Sequence, residues 1–114
     1  MIDWKRVEEL RDEIGEEGFA EVVELFLDEV ETVVMRLRSE PSTEHYEEDL
    51  HFLKGSAWNL GFAAFGALCQ GGERTAAAGR ARSVDIREIL DCYGRSKAQF
   101  MERAADYGFR RAAA

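Results

Sequence analysis

The stretch HFLKGSAW, residues 51–58, combines side chains that could carry a phosphoryl group. His51 offers an imidazole that is mostly neutral near pH 7 and has a nucleophilic nitrogen free. Lys54 and Gly55 follow at i+3 and i+4, so both lie on the same helix face as His51. A lysine there can hold the roughly two negative charges of a phosphoryl group. Glycine destabilises a helix by about 1 kcal/mol relative to alanine, but it leaves room for a reaction partner.

Four neighbouring residues are open to functional and structural interpretations. Ser56 could supply a hydroxyl near the ring. Trp58 fits equally well as an aromatic residue at the edge of the core or as part of a hydrophobic docking patch, and Phe52 is more typical of packing. His45 has no comparable neighbours and is interpreted as a surface residue.

The elements that must position these residues are helical. Apolar residues recur with the 3.6-residue period of a helix and predict five stretches, at 3–14, 17–38, 43–60, 62–78 and 84–107. Gly15 and Gly18 separate the first two stretches, Pro41 ends the second, and Gly61 closes the third.

Asp3 is a plausible N-cap of the first stretch, and Ser42 or Thr43 can cap the third. No segment alternates with the two-residue period of a strand. One short helix and four longer ones with short connections predict an all-α fold, an antiparallel four-helix bundle with a short additional N-terminal helix. A single domain over residues 1–114 suits this length.

Composition excludes several classes of function. The net charge of −8 argues against binding to nucleic acid or to an anionic membrane surface. No apolar run approaches the roughly 20 residues that span a bilayer, and the N-terminus lacks the apolar centre of a signal peptide, so a cytoplasmic location is expected. Cys69 and Cys92 are expected to be buried, reduced thiols.

The motif resembles that of a known family. Residues 51–57, HFLKGSA, followed by Leu60 and Gly61, resemble the signature of histidine-containing phosphotransfer (HPt) domains of multistep phosphorelays. That signature is H-x-L-K-G-[SA]-[SA] followed by a hydrophobic residue and glycine. The resemblance extends to Leu68-Cys69 on the next helix and to the bundle organisation of almost the whole chain.

The resemblance implies a role for each residue of the motif. His51 would accept a phosphoryl group on Nε2 from a receiver-domain aspartate and pass it to the aspartate of a response regulator. Lys54 would stabilise the phosphohistidine, Gly55 would keep access open, and Ser56 lies where the family often places a hydroxyl.

The family also often places a glutamine or glutamate 22 residues after the histidine, reaching back to its ring. Glu73 holds that position here, and Gln70, one turn earlier, is the other polar candidate. A glutamate would hold the ring by a hydrogen bond but would repel a phosphoryl group. Trp4 and Val7 are expected to flank the docking surface, as the first helix does in the family.

The implied partners are response-regulator receiver domains and a hybrid or upstream histidine kinase. The receiver would bring its own Mg²⁺, and no metal site or cofactor is expected in this chain. One exposed site per bundle suffices, so a monomer is expected. The chain would be a phosphoryl carrier without kinase activity, because it has no nucleotide-binding motif.

Two alternative functions also fit part of the sequence. Glu48 and His51 match the Glu-x-x-His pattern of di-iron bundles, but such a site needs the pattern twice, and Ser42 stands three residues before His45. A noncatalytic helical adaptor that docks receiver domains is the second candidate. The presence of His51 favours transfer, because such adaptors typically lack the histidine.

Overall fold

The computed structural model describes residues 1–39 and 42–109, and its main elements are four α-helices. These are α1 (Trp4–Ser39), α2 (Tyr46–Leu60), α3 (Ala63–Ala77) and α4 (Ile86–Ala104). Three 3-10 turns accompany them, at Thr43–His45, Ala81–Ser83 and Ala105–Tyr107. The described residues form no strand, and the helices make a four-helix bundle, so the predicted all-α class is confirmed.

A bend divides α1 into a short N-terminal arm and a longer arm that belongs to the bundle. At Gly15 the backbone has φ 78° and ψ 163°, a conformation outside the helical region that is essentially restricted to glycine. The break predicted at Gly15 is therefore present. Gly18 lies within regular helix, so the two predicted stretches are two arms of one bent helix.

The N-terminal arm is fastened to the turn between α2 and α3. The Asp3 carboxylate accepts a hydrogen bond from the Arg6 amide (3.2 Å), which confirms the predicted cap. The Asp3 amide in turn donates to the Gly61 carbonyl at 2.7 Å. Gly61 ends α2 with a φ of 88°, in the left-handed region that favours glycine. The α2–α3 hairpin is thus held at its closed end by the start of the chain.

The predicted cap of the third stretch is wrong. Neither Ser42 nor Thr43 makes a side-chain cap to α2. A 3-10 turn precedes α2 instead, closed by a backbone hydrogen bond from the His45 amide to the Ser42 carbonyl (3.3 Å). His45 therefore occupies the N-cap position, and α2 begins at Tyr46 rather than at residue 43.

Large aromatic side chains dominate one end of the core. Phe62 and Phe100 lie with ring centroids 5.4 Å apart, and Trp4 stacks on Phe100 at 5.9 Å and on Tyr107 at 5.4 Å. The two cysteines are free and buried, as predicted. Within the described residues no helix is both long and apolar enough to cross a membrane.

Candidate functional site

His51 stands on the exposed side of α2, next to α3. Its side chain is 69% exposed, and its Nδ1 lies 2.8 Å from Oε2 of Glu73 on α3. A carboxylate can only accept a hydrogen bond, so Nδ1 carries the proton and donates it to Glu73. The lone pair of a neutral imidazole is then on Nε2. The nitrogen that is free to attack a partner is therefore the one that Glu73 does not contact.

The Glu73 carboxylate contacts two site residues at once. While Oε2 contacts His51, Oε1 lies 2.7 Å from Nζ of Lys54, and both the Lys54 and Glu73 side chains are 19% exposed. The pKa of Glu73 is lowered from its ordinary value, chiefly by the hydrogen bond from Lys54. Partial burial opposes this shift, and the contact with His51 adds to it. Glu73 is consequently a carboxylate at neutral pH, as its role as acceptor requires.

Trp58 encloses the other side of Lys54. The Lys54 Nζ lies 5.9 Å from the centroid of the Trp58 ring, at the outer limit of a cation–π contact. The indole rests on α3 at Gly66, where an added Cβ would lie 2.3 Å from Nε1 of Trp58. Trp58 nevertheless remains 43% exposed, so it is seated on α3 and also presents a ring face to solvent.

Gly55 has no packing reason to be glycine. It is exposed, lies within regular helix, and an added Cβ would meet no atom within 4 Å. Its backbone conformation does not require glycine, because positive φ angles occur only at Gly15, Gly61, Gly79 and Gly108 among the described residues. Gly55 therefore leaves open space on the helix surface beside His51.

The side of His51 towards the start of α2 is acidic. Glu44, Glu47 and Glu48 line a shallow surface depression together with His51 and Glu73. From the sequence, the acidic residues just before His51 could be a solvated face or could steer a basic rim of a partner. The structure places these carboxylates around the imidazole, opposite the end of the site where Lys54 and Trp58 lie.

Two residues predicted near the ring, Ser56 and Gln70, make no hydrogen bond to His51 within the described residues. Ser56 is buried and lines a small cavity with Phe26 and Tyr93. Five residues along a helix correspond to a turn of about 140° from His51, so its hydroxyl faces the bundle interior. Gln70 is half-buried on α3, and within the described part of the chain no hydrogen bond joins it to His51.

The expected docking residues divide into two groups. Phe52 (39% exposed) and Trp58 lie on the surface beside His51. The expectation for Val7 is wrong: its apolar side chain is drawn into the core and is 0% exposed, so it cannot contact a partner. Trp4 packs in the aromatic stack near the Gly61 end of α2, about 15 Å along the helix from His51.

The chain matches the family model of the Hpt domain over residues 21–99. This match covers more than half of the chain, which therefore belongs to the Hpt domain family. Hpt domains have a phosphotransfer role in phosphorelays, where they interact with receiver domains and kinases. The matched region contains every residue of the site, from Glu44 to Glu73. Neither the curated proteins nor the solved structures gave a match.

Proposed function

We propose that this protein accepts a phosphoryl group from a receiver-domain aspartate onto Nε2 of His51 and passes it to the aspartate of a response regulator. The observation that carries this proposal is that one ring nitrogen of His51 is hydrogen-bonded while most of the side chain is exposed. Nδ1 is engaged by Glu73 at 2.8 Å, whereas 69% of the side chain remains exposed. The ring is thus held in one tautomer with its nucleophilic nitrogen accessible to a partner.

The transfer step follows from that tautomer. The Nε2 lone pair forms the N–P bond while the P–O bond of the aspartyl phosphate breaks, and the bonding electron pair stays on the aspartate carboxylate. Nδ1 keeps its proton, so the ring becomes an imidazolium whose positive charge faces the Glu73 carboxylate. In onward transfer, the next aspartate attacks phosphorus and neutral imidazole leaves. Glu73 thereby stabilises charge that develops during the reaction.

The surrounding residues suit a carrier better than an enzyme that acts alone. Lys54 supplies a positive charge one turn from His51, and the open space at Gly55 admits the partner. Phe52 and Trp58 offer apolar contact area beside the ring. We expect the receiver to supply Mg²⁺ and most of the chemistry, this chain to need no cofactor, and one monomeric bundle to serve one partner at a time.

Transfer from a receiver tests the proposal. A receiver domain carrying radiolabelled aspartyl phosphate is incubated with the protein, and the label is tested for the acid lability and base stability of phosphohistidine. Label should appear on wild type and on His45→Gln, and should be absent from His51→Gln. A second, unlabelled receiver should then remove it. Stable binding to receivers without any label would favour the noncatalytic adaptor instead.

A further inference from the structure

Lys54 forms an ion pair inside the site. A phosphohistidine needs a nearby cation, yet the ammonium of Lys54 is already paired with Glu73 at 2.7 Å. The same carboxylate holds the Nδ1 of His51 at 2.8 Å. The cation, the competing anion and the phosphoryl acceptor therefore share one small site.

We infer that Glu73 and the phosphoryl group on His51 compete for Lys54, so that phosphorylation moves this lysine from the carboxylate to the phosphoryl oxygens. The inference rests on the proposed role of His51 as phosphoacceptor. Glu73 acts here as a positioning residue: it holds Lys54 in the resting protein and opposes its transfer in the phosphorylated one.

The exchange is within reach of the side chains. Lys54 is one turn from His51 on the same helix face, and its flexible four-carbon stem can redirect the ammonium between two acceptors. A phosphoryl group of roughly two negative charges attracts the ammonium more strongly than one carboxylate does. Trp58 lies 5.9 Å from Nζ and limits movement away from the site.

The exchange makes the phosphorylated state less stable than Lys54 alone would make it. Attraction between Lys54 and the phosphoryl group is offset by loss of the Lys54–Glu73 pair, which leaves the imidazolium Nδ1–H as the contact that neutralises Glu73. Glu44, Glu47 and Glu48 add negative charge around the same ring. Such a site favours passing the group on over storing it, which is the behaviour of a relay intermediate.

A double-mutant cycle measures this competition without any partner protein. Wild type, Glu73→Gln, Lys54→Gln and the double variant are equilibrated with phosphoramidate, a small donor that exchanges its P–N bond for the P–N bond of phosphohistidine and releases ammonia. The amount of phosphorylated His51 is read by ³¹P NMR, and subtracting it from the total protein gives the ratio of phosphorylated to free His51. Glutamine can still accept a hydrogen bond from Nδ1 but cannot form an ion pair with Lys54.

With Lys54 present, Glu73→Gln should raise this ratio about three- to tenfold more than it does in the Lys54→Gln background, the range expected for one half-buried ion pair. Glu47→Gln removes a charge from the same depression without touching the Lys54–Glu73 pair, and it should show no such dependence on Lys54. Equal effects of Glu73→Gln in both backgrounds would overturn the inference, because they would indicate direct repulsion only.

Two further outcomes keep the inference separate from the proposed function. The change in the pKa of Glu73 on phosphorylation, read from its carboxyl ¹³C signal, should be more positive in wild type than in Lys54→Gln, because only wild type loses the Lys54 contact that chiefly lowers this pKa, whereas both proteins gain the imidazolium. Equal changes in the pKa of Glu73 in the two proteins would contradict the exchange. Phosphoramidate labelling with the expected coupling, but no transfer from any receiver, would refute the proposed function alone. Failure of phosphoramidate and of a phosphorylated receiver alike to label His51 would refute both.

Discussion

Glu73 separates the two nitrogens of His51 into different roles. Its Oε2 holds the protonated Nδ1, which leaves Nε2 as the nucleophile, and its Oε1 holds Lys54. A single carboxylate thus determines the tautomer of the proposed phosphoacceptor and holds the lysine that we propose to stabilise the phosphohistidine. The reactivity of His51 therefore depends on Glu73 and Lys54 as well as on the imidazole itself.

The sequence indicated which residue types belong to this site but not all of their contacts. The family spacing of 22 residues falls on Glu73, but Gln70 and Glu73 are both polar residues of α3, and the sequence left the choice between them open. The choice depends on how α2 and α3 are rotated against each other, which is a property of their packing. The contact of the Trp58 indole with Gly66 depends on the same packing, because it requires the close approach of α2 and α3.

Gly55 allows access to be tested separately from stability. Gly55→Gln should raise the free energy of unfolding by about 0.5 kcal/mol, because glutamine favours helix more than glycine does and an added Cβ meets nothing within 4 Å. Phosphoryl transfer from a receiver should nevertheless slow about tenfold or more, since a side chain would occupy the partner's approach. Urea denaturation and single-turnover transfer measure the two effects.

Gly94 provides the matched control for Gly55. It is also an exposed glycine in regular helix, an added Cβ there meets nothing within 4 Å, and it lies on α4, which contributes no residue to the site. Gly94→Gln should raise stability by a similar amount while transfer stays at the wild-type rate. Equal transfer rates for the two variants would mean that Gly55 is not an access point.

Among the helix boundaries, the breaks at Gly15 and Gly61 and the Asp3 cap were predicted correctly, whereas the break at Gly18 and the cap of α2 were not. Gly15 and Gly61 interrupt the helical pattern in the sequence, and both adopt positive φ in the structure. The start of α2 was missed by three residues because a backbone-closed 3-10 turn takes the place of a side-chain cap. A turn of that kind has a weak sequence signal, since its hydrogen bond involves no particular side chain.

The bend in α1 can be tested by one pair of substitutions. Gly15→Ala should destabilise the protein by about 1–3 kcal/mol, because alanine is strained at φ 78° and ψ 163° even though a Cβ there meets no atom within 4 Å. Gly18→Ala should instead stabilise the protein by up to about 1 kcal/mol, because Gly18 is helical. A Cβ added there would lie 3.6 Å from Cβ of Ile14, an ordinary van der Waals contact. Chemical denaturation of both variants gives the comparison.

The two outcomes should differ in sign for glycines only three residues apart. Stabilisation by Gly15→Ala would show that the helix runs straight through residue 15. In that case the N-terminal arm would not need a bend to reach the turn between α2 and α3, where Asp3 contacts Gly61.

At the scale of the whole molecule, the apolar pattern of the sequence was sufficient to predict the bundle. Core residues from all four helices recur with the helical period, and the acidic surface of net charge −8 surrounds them. The burial of the first helix was harder to predict, because Val7 lies in a stretch that also carries charged residues. Its complete burial depends on the N-terminal arm folding back onto the bundle.

The buried thiols report on the integrity of this bundle. Burial raises the pKa of Cys69 from an ordinary 9.0 to about 12, with further contributions from Cys92 and Glu73. Neutral, enclosed thiols react slowly with alkylating reagents. Labelling of Cys69 and Cys92 at pH 8 should therefore be limited by unfolding, and both should be modified quickly in urea. Rapid labelling of either cysteine in the native protein would contradict this packing.

The position of the phosphoryl group on the ring shows directly whether Nε2 of His51 is the phosphoacceptor. Protein labelled with ¹⁵N-histidine is phosphorylated by a receiver domain, and the coupling between ³¹P and ring ¹⁵N is measured by NMR. We expect one coupled nitrogen, Nε2 of His51, with Nδ1 still protonated and hydrogen-bonded to Glu73. Phosphorus on Nδ1 of His51, on His45 or on no histidine would contradict it.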